Sequence, residues 1–538
     1  MRDSGTHFHT RFTGWWCAFA SSARVSIIAV EEGFVLRSGS TEGSDAKNAK
    51  RPAQTTRMTA AAIGTAALRM GLLTRKAVAH VRPFRQCFAS LTALGYASAP
   101  SVDAAPTLSR LVGVVRRNAG FRRLYAANAV SQVGDWLNVV ALLSLLLDLT
   151  GKGEAVALVY LTRFVPFFLL GPPAGVLADR ISRRAILVTC DVLRAALVLC
   201  LLFVRSPDQV WIVYLVMTAH AIASAFFEPA QAATVPNLVS RDELVFASAL
   251  ENSLWSVAVA VGSAAGGVIL ALVGRDAAFL CDAASFVASA LLLRGLPAGR
   301  PKRDEPPGRE LLAAGREASE PASSGFVNLL GLPDLREGAR YVAGHPRVRA
   351  LIATISSFGF TLGGVLVLLA FFGEQVFART SGSGIAILWT ARGVGSFFGP
   401  FVAFRLVGHD QRALRRGILW AFCAILVCYL GFAVSPGLFV AAGFLAVANA
   451  GGSILWTYGA ALLQQIVPDP VRGRVAATNM GGMTLAMSAS TFLVGFLLDR
   501  GISPRALMAG CGLVAAAPIA FWVAVQPAFA RDTGEDGR

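Results

Sequence analysis

The sequence predicts an all-α membrane protein with twelve transmembrane helices in two pseudo-symmetric six-helix bundles. Three observations carry that prediction. Hydrophobic residues make up 55% of the 538-residue chain, only 15% are charged, and the mean hydropathy is +0.58, a balance suited to lipid rather than water. Apolar runs long enough to cross a hydrocarbon core of ~30 Å as helices recur along the chain. Twelve are counted, at 124–149, 155–178, 185–204, 210–233, 249–273, 277–293, 350–372, 384–406, 417–434, 438–463, 477–498 and 506–525.

The third observation is where the basic residues fall. A net charge of +17 in a soluble chain would raise nucleic-acid binding. Here the excess sorts by side. With the N-terminus inside, the connections after spans 2, 4, 8 and 10 hold Arg180, Arg183, Arg184, Arg241, Arg405, Arg412, Arg415, Arg416, Arg472 and Arg474. The opposite connections hold only Lys152, Arg205, Arg275, Arg379, Arg500 and Arg505, which is the positive-inside asymmetry of an inner-membrane, multi-pass protein. No nucleic acid is expected as a partner; the lipid bilayer is.

Residues 1–115 contain no apolar run long enough to span and no sustained period, so they read as a disordered or misannotated N-terminal extension. The first bundle occupies 116–296 and the second 350–526, with a tail at 527–538. Between the bundles, 297–349 carries nine Lys or Arg against seven Asp or Glu and reads as a cytoplasmic linker. A faint repeat relates the halves. TRFVPFFLLGPPAG from Thr162 resembles TARGVGSFFGPFVA from Thr390, and VPNLVSRDEL from Val235 resembles VPDPVRGRVA from Val467.

The eight cysteines form no CxxC pair and the six histidines no ligand spacing, so no metal is expected. His220 reads as a hydrogen-bonded packing residue within span 4. There is no Walker A loop, no cofactor signature and no convergent catalytic cluster, so an enzyme is not expected.

Polar residues inside the spans mark the candidate site, because lipid does not accept them. On span 1, Asn128, Ser131, Gln132, Asp135 and Asn138 recur at three- and four-residue intervals and share one helical face. Asp135 lies near mid-membrane, where a carboxyl facing a cavity can take up and release a proton or hold a cationic substrate. Glu228, Glu251 and Asp282 read as nearer the membrane boundaries and rank below it. Asp191 and Arg194, three residues apart, are placed to form an ion pair. Arg163 and Arg392 occupy nearly equivalent places in the two halves, either lining the vestibule or snorkelling to an interface.

The most specific motif is GVLADRISRRAIL, from Gly175 to Leu187 between spans 2 and 3. It resembles the loop motif G-x-L-A-D-R-x-G-R-R of the major facilitator superfamily, with Ser182 where the family has Gly. Gly175, Asp179, Arg180, Arg183 and Arg184 would then act as a conformational switch between access states. In span 5, AVAVGSAAGG from Ala258 resembles the antiporter motif G-x-x-x-G-P-x-x-G-G of proton-coupled exporters at Gly262, Gly266 and Gly267, with Ser263 in place of the family's Pro. RNAGFRRLYAANAVSQVGDWLNVVALLSLLLDLTG, FFEPAQAATVPNLVSRDELVFASALENS and FLCDAASFVASALLLRGL resemble the drug:proton antiporter-3 branch. The resemblance implies the major facilitator fold, alternating access, small amphipathic substrates and protons as partners, and a monomer. An uptake carrier shares the same architecture; a receptor or scaffold would not explain the polar stripe or the paired halves.

Overall fold

The structure is a computed structural model in which residues 108–297, 332–377, 382–406 and 410–530 are described. Every regular element among them is helical. The long helices follow the predicted spans in order: span 1 Ala119–Thr150, span 2 Gly153–Arg180, span 3 Arg183–Cys200, span 4 Val210–Thr234, span 5 Leu244–Leu272 and span 6 Arg275–Arg294. The second half gives span 7 Pro346–Phe371, span 8 Ser383–Leu406, span 9 Gln411–Ala433, span 10 Leu438–Ile466, span 11 Asp469–Asp499 and span 12, built from Pro504–Val514 and Ala516–Ala530. Eleven are long and apolar enough to cross a membrane by length and composition. The twelfth, span 2, has 28 residues and carries Arg163 near its middle.

The helices overrun the apolar windows. Span 11 begins at Asp469, eight residues before the expected 477, and so takes Arg472 and Arg474 into its first turns. Hydropathy marks only the part in hydrocarbon, whereas the helix continues where water can solvate charge. Span 12 breaks at Ala515, three residues before Pro518, whose ring and missing N–H disfavour a continuous helix there.

Two short helices stand outside the spans. Leu108–Arg117 precedes span 1, inside the stretch read as an extension to 115, and Leu332–Gly344 precedes span 7, inside the stretch read as linker. The expectations for residues 1–107, 298–331 and 531–538 lie outside the described residues. Each short helix is fastened to its own half by an ion pair. Arg117 donates through Nε and Nη2 to Glu243 Oε1 at 3.2 and 2.8 Å, and Asn118 Nδ2 donates to Glu243 Oε2 at 2.8 Å. Those donors, Asn118 first and Arg117 after it, hold the Glu243 carboxyl below its ordinary range. In the other half Arg474 Nη1 donates to Glu337 Oε1 at 2.5 Å.

Glycine sets how closely the spans approach. A Cβ on Gly262 would lie 2.5 Å from the Val133 carbonyl oxygen, and one on Gly266 2.8 Å from that of Leu137, so both press span 5 onto span 1. Gly267 faces the other way, where a Cβ would come within 2.4 Å of the Ala386 Cβ on span 8. The second half closes span 7 on span 11 in the same manner, through Gly359 against Met483 and Gly363 against Met487.

Candidate functional site

The polar stripe of span 1 turns mainly into its own half. Asn138 Nδ2 donates to Asp282 Oδ2 of span 6 at 2.6 Å. Asp135 Oδ1 lies 3.4 Å from His220 Nε2 of span 4, an ion-pair distance at which no hydrogen bond is formed. Gln132 Nε2 donates to Asn128 Oδ1 at 2.9 Å, and Ser131 Oγ to the Asn128 carbonyl at 3.3 Å. The stripe therefore joins spans 1, 4 and 6.

Asp282, read from sequence as nearer a membrane boundary than Asp135, is fully buried. Its burial comes from packing, not from depth: span 1 covers this face of span 6. Gly134 makes the room: a Cβ there would fall 2.0 Å from Ser285 Oγ and 2.6 Å from Asp282 Oδ1. The Asp135 and Asp282 carboxyl groups sit within electrostatic range of each other. His220, read as a packing residue, completes this acid–imidazole group, and its ring meets Phe286 edge-on at 5.6 Å. A histidine on an apolar helix gives no sequence signal of the carboxylate it faces.

Asp191 and Arg194 do pair, both buried. Ser289 Oγ donates to Asp191 Oδ2 at 2.6 Å, and the Arg194 guanidinium lies over Phe227 and Phe286 at 4.2 and 4.7 Å. Both Asp191 oxygens are paired while Arg194 Nε has no acceptor among the described residues, and the pair with its ring contacts ties span 3 to spans 4 and 6. Glu251 accepts from Gln231 Nε2 at 3.3 Å, while Glu228 lies within electrostatic range of Arg163, Arg194 and Asp135.

At the boundary between the halves stands an aromatic cluster that the sequence did not single out. Trp136 of span 1 meets Trp255 of span 5 edge-on at 5.7 Å and Trp389 of span 8 at 5.2 Å. Arg163 of span 2 lies 5.8 Å from the Trp136 ring. Arg392 of span 8 lies 4.7 Å from Trp389 and 5.5 Å from Trp255, and its Nε donates to Asn449 Oδ1 of span 10 at 3.3 Å. Arg163 and Arg392 thus both reach this boundary, and neither has an ion-pair partner among the described residues. Adjacent residues divide the labour: Asp135 faces span 4 and Trp136 the other half.

Named contacts between the halves run from the arginine-poor end to mid-span. At that end the Asp499 carboxylate of span 11 accepts from the Gly153 and Glu154 amides of span 2 at 2.6 and 2.9 Å, capping the helix N-terminus. Gly153 and Gly495 touch backbone to backbone, since a Cβ on either would lie 2.6 or 2.7 Å from the other's carbonyl oxygen. Deeper in, Tyr160 donates to the Leu366 carbonyl at 3.4 Å, and Gly393 packs on Ala260.

The loop between spans 2 and 3 is tied into the first half. Arg183 Nη1 donates to the Ala233 carbonyl at the end of span 4 at 2.7 Å, and Arg184 Nη1 to that of Leu296 after span 6 at 3.2 Å. Ser182 needs no glycine: its φ is −55° and its hydroxyl caps span 3, accepting from the Ala185 amide at 3.4 Å. The side chains of Gly175, Asp179 and Arg180 lie outside the described residues. In span 5 Ser263 is fully buried and its hydroxyl has no partner among the described residues.

Paired six-helix halves joined at one end, with polar groups at mid-membrane, define a polytopic membrane carrier. The profile of the Major Facilitator Superfamily matches residues 124–491, and the chain belongs to that superfamily. The chain is 25% identical over 400 residues to the MFS-type transporter YkuC of Bacillus subtilis, covering 72% of this chain and 87% of YkuC. It is 29% identical over 164 residues to macrolide efflux protein A of Streptococcus pyogenes, covering 30% of this chain and 40% of that protein. A bacterial homolog of the human lysosomal transporter Spinster, solved inward-facing and unoccupied, shares the fold with a TM-score of 0.57 at 15% identity, covering 79% of this chain and 99% of that one.

Proposed function

We propose that this chain is a secondary active transporter that exports small amphipathic compounds, of drug, macrolide or siderophore-like character, across the cytoplasmic membrane by proton antiport. The observation that carries this reading is the acid–imidazole group of Asp135, His220, Asp282 and Asn138, set one residue along span 1 from the tryptophan cluster at the boundary between the halves. Protons bind in the first half, substrate binds between the halves, and span 1 belongs to both sites. The likeness to macrolide efflux protein A supports export over uptake.

In this reading the arginine-rich end is cytoplasmic, and the contacts at Gly153, Gly495 and Asp499 close the outer side. The cavity then opens to the cytoplasm, ready to load. Rocking of the two bundles about the Trp136–Trp389 level would expose it to the outside. Arg183 and Arg184 at the start of span 3, together with Gly175, Asp179 and Arg180 at the end of span 2, act as the switch at the cytoplasmic face, and Gly262, Gly266 and Gly267 keep span 5 close to spans 1 and 8 while it moves. No part of this cycle requires a second copy of the chain.

Protein reconstituted into vesicles with an acidic lumen tests the reading, with a carboxylate siderophore and a macrolide as alternative probes. We expect accumulation in the lumen that collapses with a protonophore and is lost in Asp135→Asn. Accumulation of either probe that ignores the gradient, or survives in full in Asp135→Asn, removes Asp135 as the essential proton carrier.

A further inference from the structure

We infer that the substrate site selects an organic anion with a flat apolar body, through the guanidinium of Arg392. This rests on the export reading and narrows it to its siderophore-like, carboxylate-bearing end, away from amine-bearing macrolides. Arg392 is more than nine-tenths buried at mid-span, where an arginine without a counter-charge is costly. Among the described residues its one hydrogen bond runs from Nε to Asn449, a neutral acceptor. Its guanidinium carbon lies over the Trp389 and Trp255 rings, but cation–π attraction supplies no anionic hydrogen-bond acceptor for its N–H groups. Neither terminal nitrogen of Arg392 has a hydrogen-bond acceptor among the described residues, so both are left for an oxyanion, which a planar fork receives with two parallel bonds.

The two arginines of the cluster are not equivalent. Arg163 has Asp135 and Glu228 within electrostatic range, so the first half offsets its charge. The groups that act on Arg392 are Tyr160, Tyr429 and Arg163, none of them a carboxylate. Beside it the Trp389 Nε1–H is a second buried donor with no acceptor. Two donors without a carboxylate, bordered by the Trp136 and Trp255 rings, fit a carboxylate or sulfonate on an aromatic or other flat apolar body. They disfavour a substrate whose charge is an amine.

Purified full-length protein in detergent is titrated with two probes of one shape, 1-naphthoate and 1-naphthylmethylamine, followed calorimetrically. We expect naphthoate to bind at least about tenfold more tightly. Arg392→Gln should bring the two within about twofold, and Arg392→Lys, which keeps the charge but not the fork, should retain the anion preference in weakened form. Undetectable naphthoate binding, equal binding of the two by the wild type, or an undiminished preference in Arg392→Gln overturns the assignment. Where Arg392→Gln does not fold, the wild-type ratio and Arg392→Lys decide: a preference absent from the wild type, or abolished in Arg392→Lys, overturns it. Vesicle flux separates this from the export reading. Gradient-driven movement of the amine without naphthoate binding ends the anion assignment and leaves export standing; selective naphthoate binding without gradient-driven flux does the reverse.

Discussion

The two halves share a fold but not a chemistry. In the first, Asp191, Arg194, His220 and Asp282 are buried charged or titratable groups, joined by Asp135 at their edge. In the second, the described buried charges are Arg392 and Arg415, with no buried acid beside them. Glycine placement differs too, since the close helix pair of the first half takes its glycines from span 5 and that of the second from span 7. The difference teaches that symmetry is kept at the level of backbone packing while acid–base capacity is confined to one side. On the proposed mechanism, the first half changes protonation while the second serves as its counterpart.

The largest expected effect breaks that division directly. Asp282→Asn, tested apart from Asp135→Asn, should cut pH-driven accumulation at least about tenfold, because the carboxyl that accepts from Asn138 can no longer ionise. Glu374→Gln, at the end of span 7 in the second half, should leave most of the flux intact. Equal losses in both variants would dissolve the contrast. Gly134→Ala belongs with the first: its methyl would displace Ser285 and Asp282, so flux should fall while the apparent melting temperature changes little.

Packing comes next. Gly266→Leu and Gly363→Leu should each cost roughly 1–3 kcal/mol by forcing a paired helix outward, seen as matched drops in melting temperature. A drop in only one would mean that the halves are not equally tight. Gly153→Val should hold the seal open, so that a cysteine at position 495 in the same chain reacts with an impermeant thiol reagent from the outer side.

The smallest effect concerns the ion pairs of the short helices, Arg117–Glu243 and Glu337–Arg474, whose polarity is reversed between halves. Glu243 has its folded pKa below the ordinary value of 4.5, so its contribution is present above that pH and fades as pH falls through the lowered value. Being surface pairs they are each worth under about 1 kcal/mol. Proteolysis near Arg117 should therefore accelerate in acid, and Glu243→Gln should reproduce part of that acceleration at neutral pH.

Much of the fold was legible because lipid imposes a simple rule: length and apolarity mark a span, and arginine marks a side. Twelve helical segments fall where apolar runs placed them, eleven of them long and apolar enough to cross a membrane, with errors at charged ends such as Asp469. The site was legible in part. A polar stripe on span 1 stands out against lipid, so Asp135 and Asn138 could be picked by spacing. Asp282 and His220 could not be placed, because depth in a bundle depends on which helix covers which. The tryptophans gave no signal at all, since one more aromatic ring in an apolar helix looks like every other. Arg392 was visible as a charge, but whether it reached an interface or a cavity depended on Asn449, 57 residues away.

The contact of Gly153 with Gly495 is made by main chain alone. On the proposed cycle, a closure made of backbone and the Asp499 cap reads nothing of what passes beneath it, so the lining of the chamber can drift toward new cargo without altering how the door shuts. Recognition and closure are thereby free to evolve on separate schedules.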